Sequence, residues 1–465
     1  MMLILMLLLA LLLFPALLLL PAAGTHNGRT ESYRSFKRVI LQAFSRPSKL
    51  AMPYSGTHSL PAGVIAPFRS TYKKIPLALM SSSDQKKKAA PRQDRAWAEI
   101  NLEHFRHNME ELNWLLPSGT GIMAVLKADA YGHGDVEVAK ELNRAAINHF
   151  AVAEIGEGIR LRKSGIRGEI LILGYTAPEL APKLARYRLT QTILSREYGE
   201  ALESYGVTLN VHVKIDTGMN RLGTPYQDMG AILACYRFPH LQVTGTFSHL
   251  SMSDGLAPAE TGFTKEQLKR FDHVVQQLKA AGLHPGQVHI QSSYGILNYP
   301  ELKYDLVRPG IALYGLLSHE GDEVRSAADL RPVLSLKATV TQVKEVEACH
   351  PVGYGHRYMP ARNIRIANVS IGYADGIPRS LADHGGYVLI RGQRANIIGS
   401  ICMDQLTVDV TSIGGVRQGD TVTLIGQDGA KTITASQMAE RCGTVTNEIL
   451  SRLGGRVERI YTSGR

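Results

Sequence analysis

Eight short apolar, β-rich runs end near Lys127, Val152, Leu173, Leu194, Ile215, Phe247, Ile290 and Val307. Amphipathic stretches such as 264–275 separate many of them. Strands that alternate with helices over about 200 residues call for a parallel sheet, and eight in succession predict a (β/α)8 TIM-like barrel. A doubly wound sheet is the alternative, but no G-x-G-x-x-G follows the first strand, which removes its best support. After about Arg331 the pattern changes. Segments 333–346, 364–371, 387–390, 397–401, 406–410 and 421–425 read as strands separated by Gly, Asp and Asn turns, and only 436–440 and 447–453 read as helical. The expected body is thus an α/β barrel over 96–331 followed by a mostly β domain over 332–465.

The front of the chain is different. Residues 1–24 are apolar and carry no charged side chain. About 20 apolar residues suffice to cross a bilayer. Ala22, Ala23 and Gly24 offer a cleavage site, yet no base precedes the run, which weakens a cleaved signal. The bases that follow it favour an anchor that keeps the rest of the chain cytoplasmic, so membrane contact through 1–24 is expected. An unused upstream start is the third reading. Residues 25–95, rich in Ser, Pro and Lys, read as a basic linker without sustained period. This linker holds 14 Lys+Arg and 3 Asp+Glu, so it carries the whole net charge of +11, and the remainder is balanced at 38 of each. The globular body therefore has no electrostatic reason to bind nucleic acid. Cys235, Cys349, Cys402 and Cys442 are widely spaced and form no C-x-x-C pair, so no metal site is expected and a reducing compartment suits them.

Chemistry concentrates in 121–134, GIMAVLKADAYGHG. The first half reads as a buried strand and the second as a glycine-punctuated loop, which puts Lys127 at a strand's carboxyl end, where barrels keep their chemistry. Desolvation there lowers a lysine's pKa and frees the amine to form a Schiff base with a carbonyl cofactor. A lone strand-end lysine would be a head that snorkels to solvent. This one has company: KIDTGMNRLG around Arg221, HIQSS around Ser293, DLVRPGIALYG around Arg308, PVGYGHRY around Tyr354, IGYADG around Tyr373 and ICMDQ around Met403 follow in order.

In this order the segments resemble the alanine racemase family, whose plan is a barrel followed by a β domain. The resemblance implies a PLP (pyridoxal 5'-phosphate) enzyme that interconverts L- and D-alanine and supplies D-alanine for peptidoglycan. Lys127 and Tyr354 would be the two bases, one for each face of the substrate's α-carbon. His249 would lie beside Tyr354 and connect to Arg308, and Arg308 would face the pyridine nitrogen and keep it unprotonated. Tyr131, Ser293, Gly310, Ile311 and Tyr373 would hold the phosphate and shape the pocket. Arg221 and the Met403 backbone would bind substrate, and Lys214 matches a lysine often carbamylated in the family. The family's active unit is a homodimer in which Tyr354 and Met403 reach the partner's site. One departure stands out: Asn447 occupies the place of a tyrosine that narrows the family's pocket. That resembles the membrane-anchored serine racemases related to glycopeptide resistance, and makes serine, or serine and alanine, the alternative substrate. A capping asparagine is the structural alternative. Two other classes compete. One is a PLP-binding barrel without activity, which would lack the β domain. The other is a decarboxylase, for which Cys402 would be the β-domain group.

Overall fold

The computed structural model describes residues 95–463. The apolar segment 1–24 and the linker residues before Arg95 lie outside the described residues. Among the described residues no helix is long and apolar enough to cross a membrane.

The first strand, β1 (Ala96–Asn101), belongs to the second sheet. The barrel follows: β2 (Gly121–Val125), β3 (His149–Val152), β4 (Glu169–Ile172), β5 (Thr190–Ile193) and β6 (Leu209–Asp216), a two-residue spur β7 (Thr224–Pro225), then β8 (Leu241–Phe247), β9 (Gln287–His289) and β10 (Leu306–Val307). Apart from the spur, each strand pairs in parallel with the next, and β10 pairs with β2 to close an eight-stranded ring. These are the eight runs expected from the sequence. β2, β3 and β4 are largely apolar without alternation, as Ile170, Leu171 and Ile172 illustrate, because the barrel interior covers one face and helices the other, while β5, β6 and β9 carry buried polar residues such as Gln191, His212 and His289.

The rest is β-rich, as expected. β11 (Leu334–Val346) alternates buried and half-buried residues over its first half, the signature of a strand with one dry face. With β12 (Ile364–Val369), β13 (Tyr387–Ile390), β14 (Gln393–Ile398), β15 (Leu406–Asp409) and β16 (Thr421–Asp428) it closes a six-stranded antiparallel ring in the order β11-β12-β15-β14-β13-β16. β11 carries irregular register at two places, which lets it bend between partners. A short β17 (Lys431–Ile433) extends the ring from β16. The last strand, β18 (Glu458–Thr462), lies parallel to β1, which pairs with β11. The strand opening the 96–331 segment thus serves the second sheet, because its partners are β11 and β18. Of the stretch read as a strand at 397–401 only 397–398 form one, the end of β14, which starts four residues earlier at Gln393 and stops at Ile398. Its alternating polar residues had masked the start.

Candidate active site

Lys127 follows β2 at the carboxyl end of the barrel. What comes next is not a loose loop. Ala128, Asp129 and Ala130 have φ of 53–55° and ψ of 45–52°, and Tyr131 has φ 53°. Four consecutive residues wind one turn of left-handed helix. For L-residues that conformation costs about 1–2 kcal/mol each, so the turn stores about 4–8 kcal/mol that its surroundings must offset. Gly132 N–H donates to Ala128 O at 3.0 Å and Gly134 N–H to Asp129 O at 2.9 Å. The Glu157 carboxylate accepts Ala128 N–H and Ala153 N–H, both at 2.7 Å, and so ties the turn to the next barrel unit. Gly132, at φ 79°, has no alternative: a Cβ would sit 2.2 Å from Leu450 O.

Lys127 lines a cavity of about 290 Å³ together with Tyr131, Lys214, Arg221, His249, Ser293, Arg308, Gly310, Ile311 and Asn447. Among the described residues two lysines and two arginines border it and no carboxylate does. Burial lowers the Lys127 pKa, Arg221 lowers it further, and Glu157 partly opposes both. Lys214 is buried; its Nζ makes a long contact to Ile215 O at 3.4 Å and lies 5.1 Å from the centre of the Phe247 ring. Desolvation, then Arg308, holds it well below the ordinary lysine range.

Arg308 is fixed on every side. It donates to His289 Nδ1 at 2.6 Å, Ser248 O at 2.7 Å, Ile290 O at 3.0 Å and His249 Nδ1 at 3.2 Å. A guanidinium has no acceptor, so both Nδ1 atoms must be unprotonated. His289 then carries its proton on Nε2 and donates to His212 Nδ1 at 2.9 Å. His212 Nε2 in turn lies 3.1 Å from the Glu169 carboxylate, without the alignment of a hydrogen bond. Gly245 makes room for this line, since a Cβ there would come within 2.5 Å of the His212 ring. Burial pulls Arg308 down to about 9, which leaves it charged at neutral pH.

The neutral histidines have a pH consequence. Burial depresses His133 to about 4 and His249 and His289 well below the ordinary imidazole value. The unfolded chain takes up these protons near pH 6.5 and the folded chain does not. Stability is therefore complete above pH 6.5 and falls as pH drops from there towards about 4, by about 1.4 kcal/mol per pH unit for each such histidine. Thermal unfolding at pH 7 and pH 5 should show a clearly lower midpoint at pH 5; an unchanged midpoint would mean that the rings are not held neutral.

Donors for an anion gather at the end of β10. Ser293 Oγ accepts Gly310 N–H at 3.0 Å and Ala312 N–H at 3.2 Å, which leaves its own O–H free to donate. The Gly310 N–H, expected as a direct phosphate donor, is thus used by Ser293, and the hydroxyl carries the donation onward. Tyr131 Oη has no hydrogen-bond partner among the described residues and lies where a Cβ on Gly310 would be 2.6 Å away. Arg221 is held by its loop: Asp216 Oδ1 accepts Gly218 N–H at 2.9 Å and Asn220 N–H at 3.1 Å, and among the described residues the guanidinium forms no ion pair. Asn447 reaches the cavity from the second domain, and its Oδ1 accepts Ser318 Oγ–H at 3.0 Å.

Tyr354, Tyr373 and Met403 do not join this cavity in their own chain. They are 73%, 42% and 53% exposed. The sequence reading missed Glu157, Glu169, His212 and Ser318. A histidine in the buried phase of β6 was the one available signal, and no local spacing marks the others.

A closed parallel barrel with this cationic cavity at its carboxyl end, followed by a β domain that adds a wall, defines an enzyme for small anionic molecules. Residues 100–318 match the alanine racemase N-terminal domain and residues 333–461 the alanine racemase C-terminal domain. An alanine racemase of Carboxydothermus hydrogenoformans is 44% identical over 369 residues, 78% of this chain and 99% of that protein. An amino-acid racemase of Enterococcus faecalis is 43% identical over 384 residues, 82% of this chain but 54% of that protein, so the chain spans about half of that relative. The solved alanine racemase of Clostridium difficile 630 superposes with a TM-score of 0.74 at 35% identity, covering 81% of this chain and 97% of that one. The chain belongs to the alanine racemase family.

Proposed function

We propose that the protein is a PLP-dependent racemase that interconverts L- and D-alanine and so supplies D-alanine for cell-wall peptidoglycan. The observation that carries the reading is the cavity's lining: two arginines, two lysine amines with depressed pKa, and no carboxylate among the described residues. A phosphate and a substrate carboxylate are the anions that such a lining would neutralise. Ser293 O–H, Ile311 N–H and Tyr131 Oη are the donors that fit a phosphate. Lys127 would hold the cofactor, and Arg308, positively charged at neutral pH, would face its ring nitrogen. When bound, PLP supplies an electron sink that acidifies the substrate's α-carbon. The protein's own task is then to move protons. Arg221 would fix the carboxylate, Lys127 would carry the proton on one face, and a second base would serve the other. Exposed Tyr354 suits that role if a second copy of the chain brings it in, and exposed Tyr373 and Met403 favour the same homodimer. The depressed pKa of the Lys214 amine suits carbamylation, which would place an anion near Arg308 and Arg221. The bases after residue 24 favour an arrangement that keeps this site on the cytoplasmic side. Incubation of the full chain with PLP and L-alanine tests the proposal: D-alanine supports it, ethylamine points to a decarboxylase, and bound PLP without turnover to a binding protein.

A second reading is favoured by Asn447. Its oxygen is engaged by Ser318, so its NH2 group is the part left to meet a substrate side chain, and serine's hydroxyl oxygen can accept from it. Asn447→Tyr should lower kcat/KM for serine by roughly tenfold, about 1.4 kcal/mol, and affect alanine less. Equal loss for both substrates would leave Asn447 a structural partner of Ser318.

A further inference from the structure

We propose that Arg459 and Tyr461, on the last strand of the chain, are positioning residues for Lys127, clamping its left-handed turn from the C-terminal domain. The inference rests on the reading that Lys127 carries the cofactor. The two residues are two apart on β18 and both reach the turn, as residues on one face of a strand can. Arg459 Nε donates to Gly132 O at 3.0 Å, and its NH2 group lies 3.5 Å from Asp129 Oδ2. The same guanidinium is anchored on its own side, donating to Leu453 O and Gly454 O at 2.7 Å and Val457 O at 2.6 Å. It is thus a bridge with its ends fixed and little freedom to follow the turn if the turn relaxes. Its planar fork suits such a bridge better than a lysine would. Tyr461 Oη donates to His133 O at 3.1 Å. The fit there is close, since a Cβ on Gly134 would lie 1.8 Å from the Tyr461 hydroxyl oxygen. Gly132 leans on Leu450 O in the same way.

These contacts meet a segment whose backbone would otherwise leave its conformation. Ala128 to Tyr131 all hold positive φ, and only part of the turn is bonded within itself. Glu157 secures its start and β18 its end. Lys127 lies at the start of the turn, so loosening the far end changes how its amine is aimed. A β18 that merely stabilised the domain would affect the whole chain; a clamp affects 127–134 first.

Hydrogen exchange followed by mass spectrometry on the full chain distinguishes the two. Arg459→Ala, Arg459→Lys and Tyr461→Phe are compared with the parent, with and without PLP. Exchange in peptides covering 126–134 should rise by about tenfold or more in Arg459→Ala and less in the other two, with the barrel strands unchanged. PLP release should be faster in the same order. Unchanged exchange at 126–134, or a rise spread evenly over the chain, would overturn the clamp. Tyr461→Phe removes one hydroxyl and keeps the ring, so it carries the test if Arg459→Ala does not fold. The exchange measured without cofactor needs no activity: a parent chain that fails to take up PLP would defeat the functional reading and leave this result standing.

Discussion

Lys127→Ala is expected to reduce racemisation by at least about 10³-fold and to abolish covalent retention of PLP. The protein should nevertheless fold. Lys127 itself lies outside the run of positive φ, so alanine at 127 adds no backbone strain. The lost side chain is a partly desolvated cation with Arg221 for company, and its removal relieves unfavourable charge. The melting temperature without cofactor should therefore be unchanged or higher. Borohydride treatment followed by peptide mass spectrometry checks the chemistry. The parent should carry the reduced cofactor on the peptide containing Lys127, and the variant on none. A cofactor found on Lys214, the other depressed lysine of the cavity, would reassign the site.

Tyr354→Phe should have the second largest effect, and an asymmetric one. One face of the substrate loses its proton carrier while Lys127 still serves the other. Inversion should fall by at least about 10²-fold, whereas exchange of the α-proton of one enantiomer with solvent should survive. Cofactor binding should persist, because the variant leaves Lys127, Ser293 and Arg308 in place. The exposure of Tyr354 gives a sharper test. If each site takes Lys127 from one chain and Tyr354 from another, the two inactive variants complement each other. In a mixed dimer one site carries both defects and the other neither. Random mixing of Lys127→Ala with Tyr354→Phe then restores about a quarter of parental activity. No recovery after mixing and reassociation would show that a site draws both residues from one chain.

The strands were legible because parallel barrels bury continuous apolar runs, and all eight run ends fell at the ends of barrel strands. Lys127 and Arg308 sit in glycine- and proline-bearing segments and Ser293 was named from the family resemblance; the structure brings all three to one cavity. Other features had no local mark. β1 looks like any short strand, and only its pairing with β11 and β18 assigns it to the second sheet. The left-handed turn after Lys127 is built from Ala, Asp, Ala and Tyr, which ordinarily favour right-handed or extended backbone, so tertiary contacts overrule local preference. Glu157, His212, Glu169 and Arg459 act across 29 or more residues, and spacing cannot reveal such pairings. Tyr354 is the reverse case: its motif is legible, while its single-chain position is remote from the cavity that it is proposed to serve.

As proposed, this chain moves the α-proton of an amino acid with two bases on opposite faces. Brief incubation of the full chain with PLP and L-alanine in D₂O tests it most directly. D-alanine should bear deuterium at the α-carbon, while L-alanine recovered early in the reaction still carries protium, because the base that removes the proton is not the one that replaces it. Early deuterium in recovered L-alanine at the rate at which D-alanine forms, or no D-alanine at all, would contradict it.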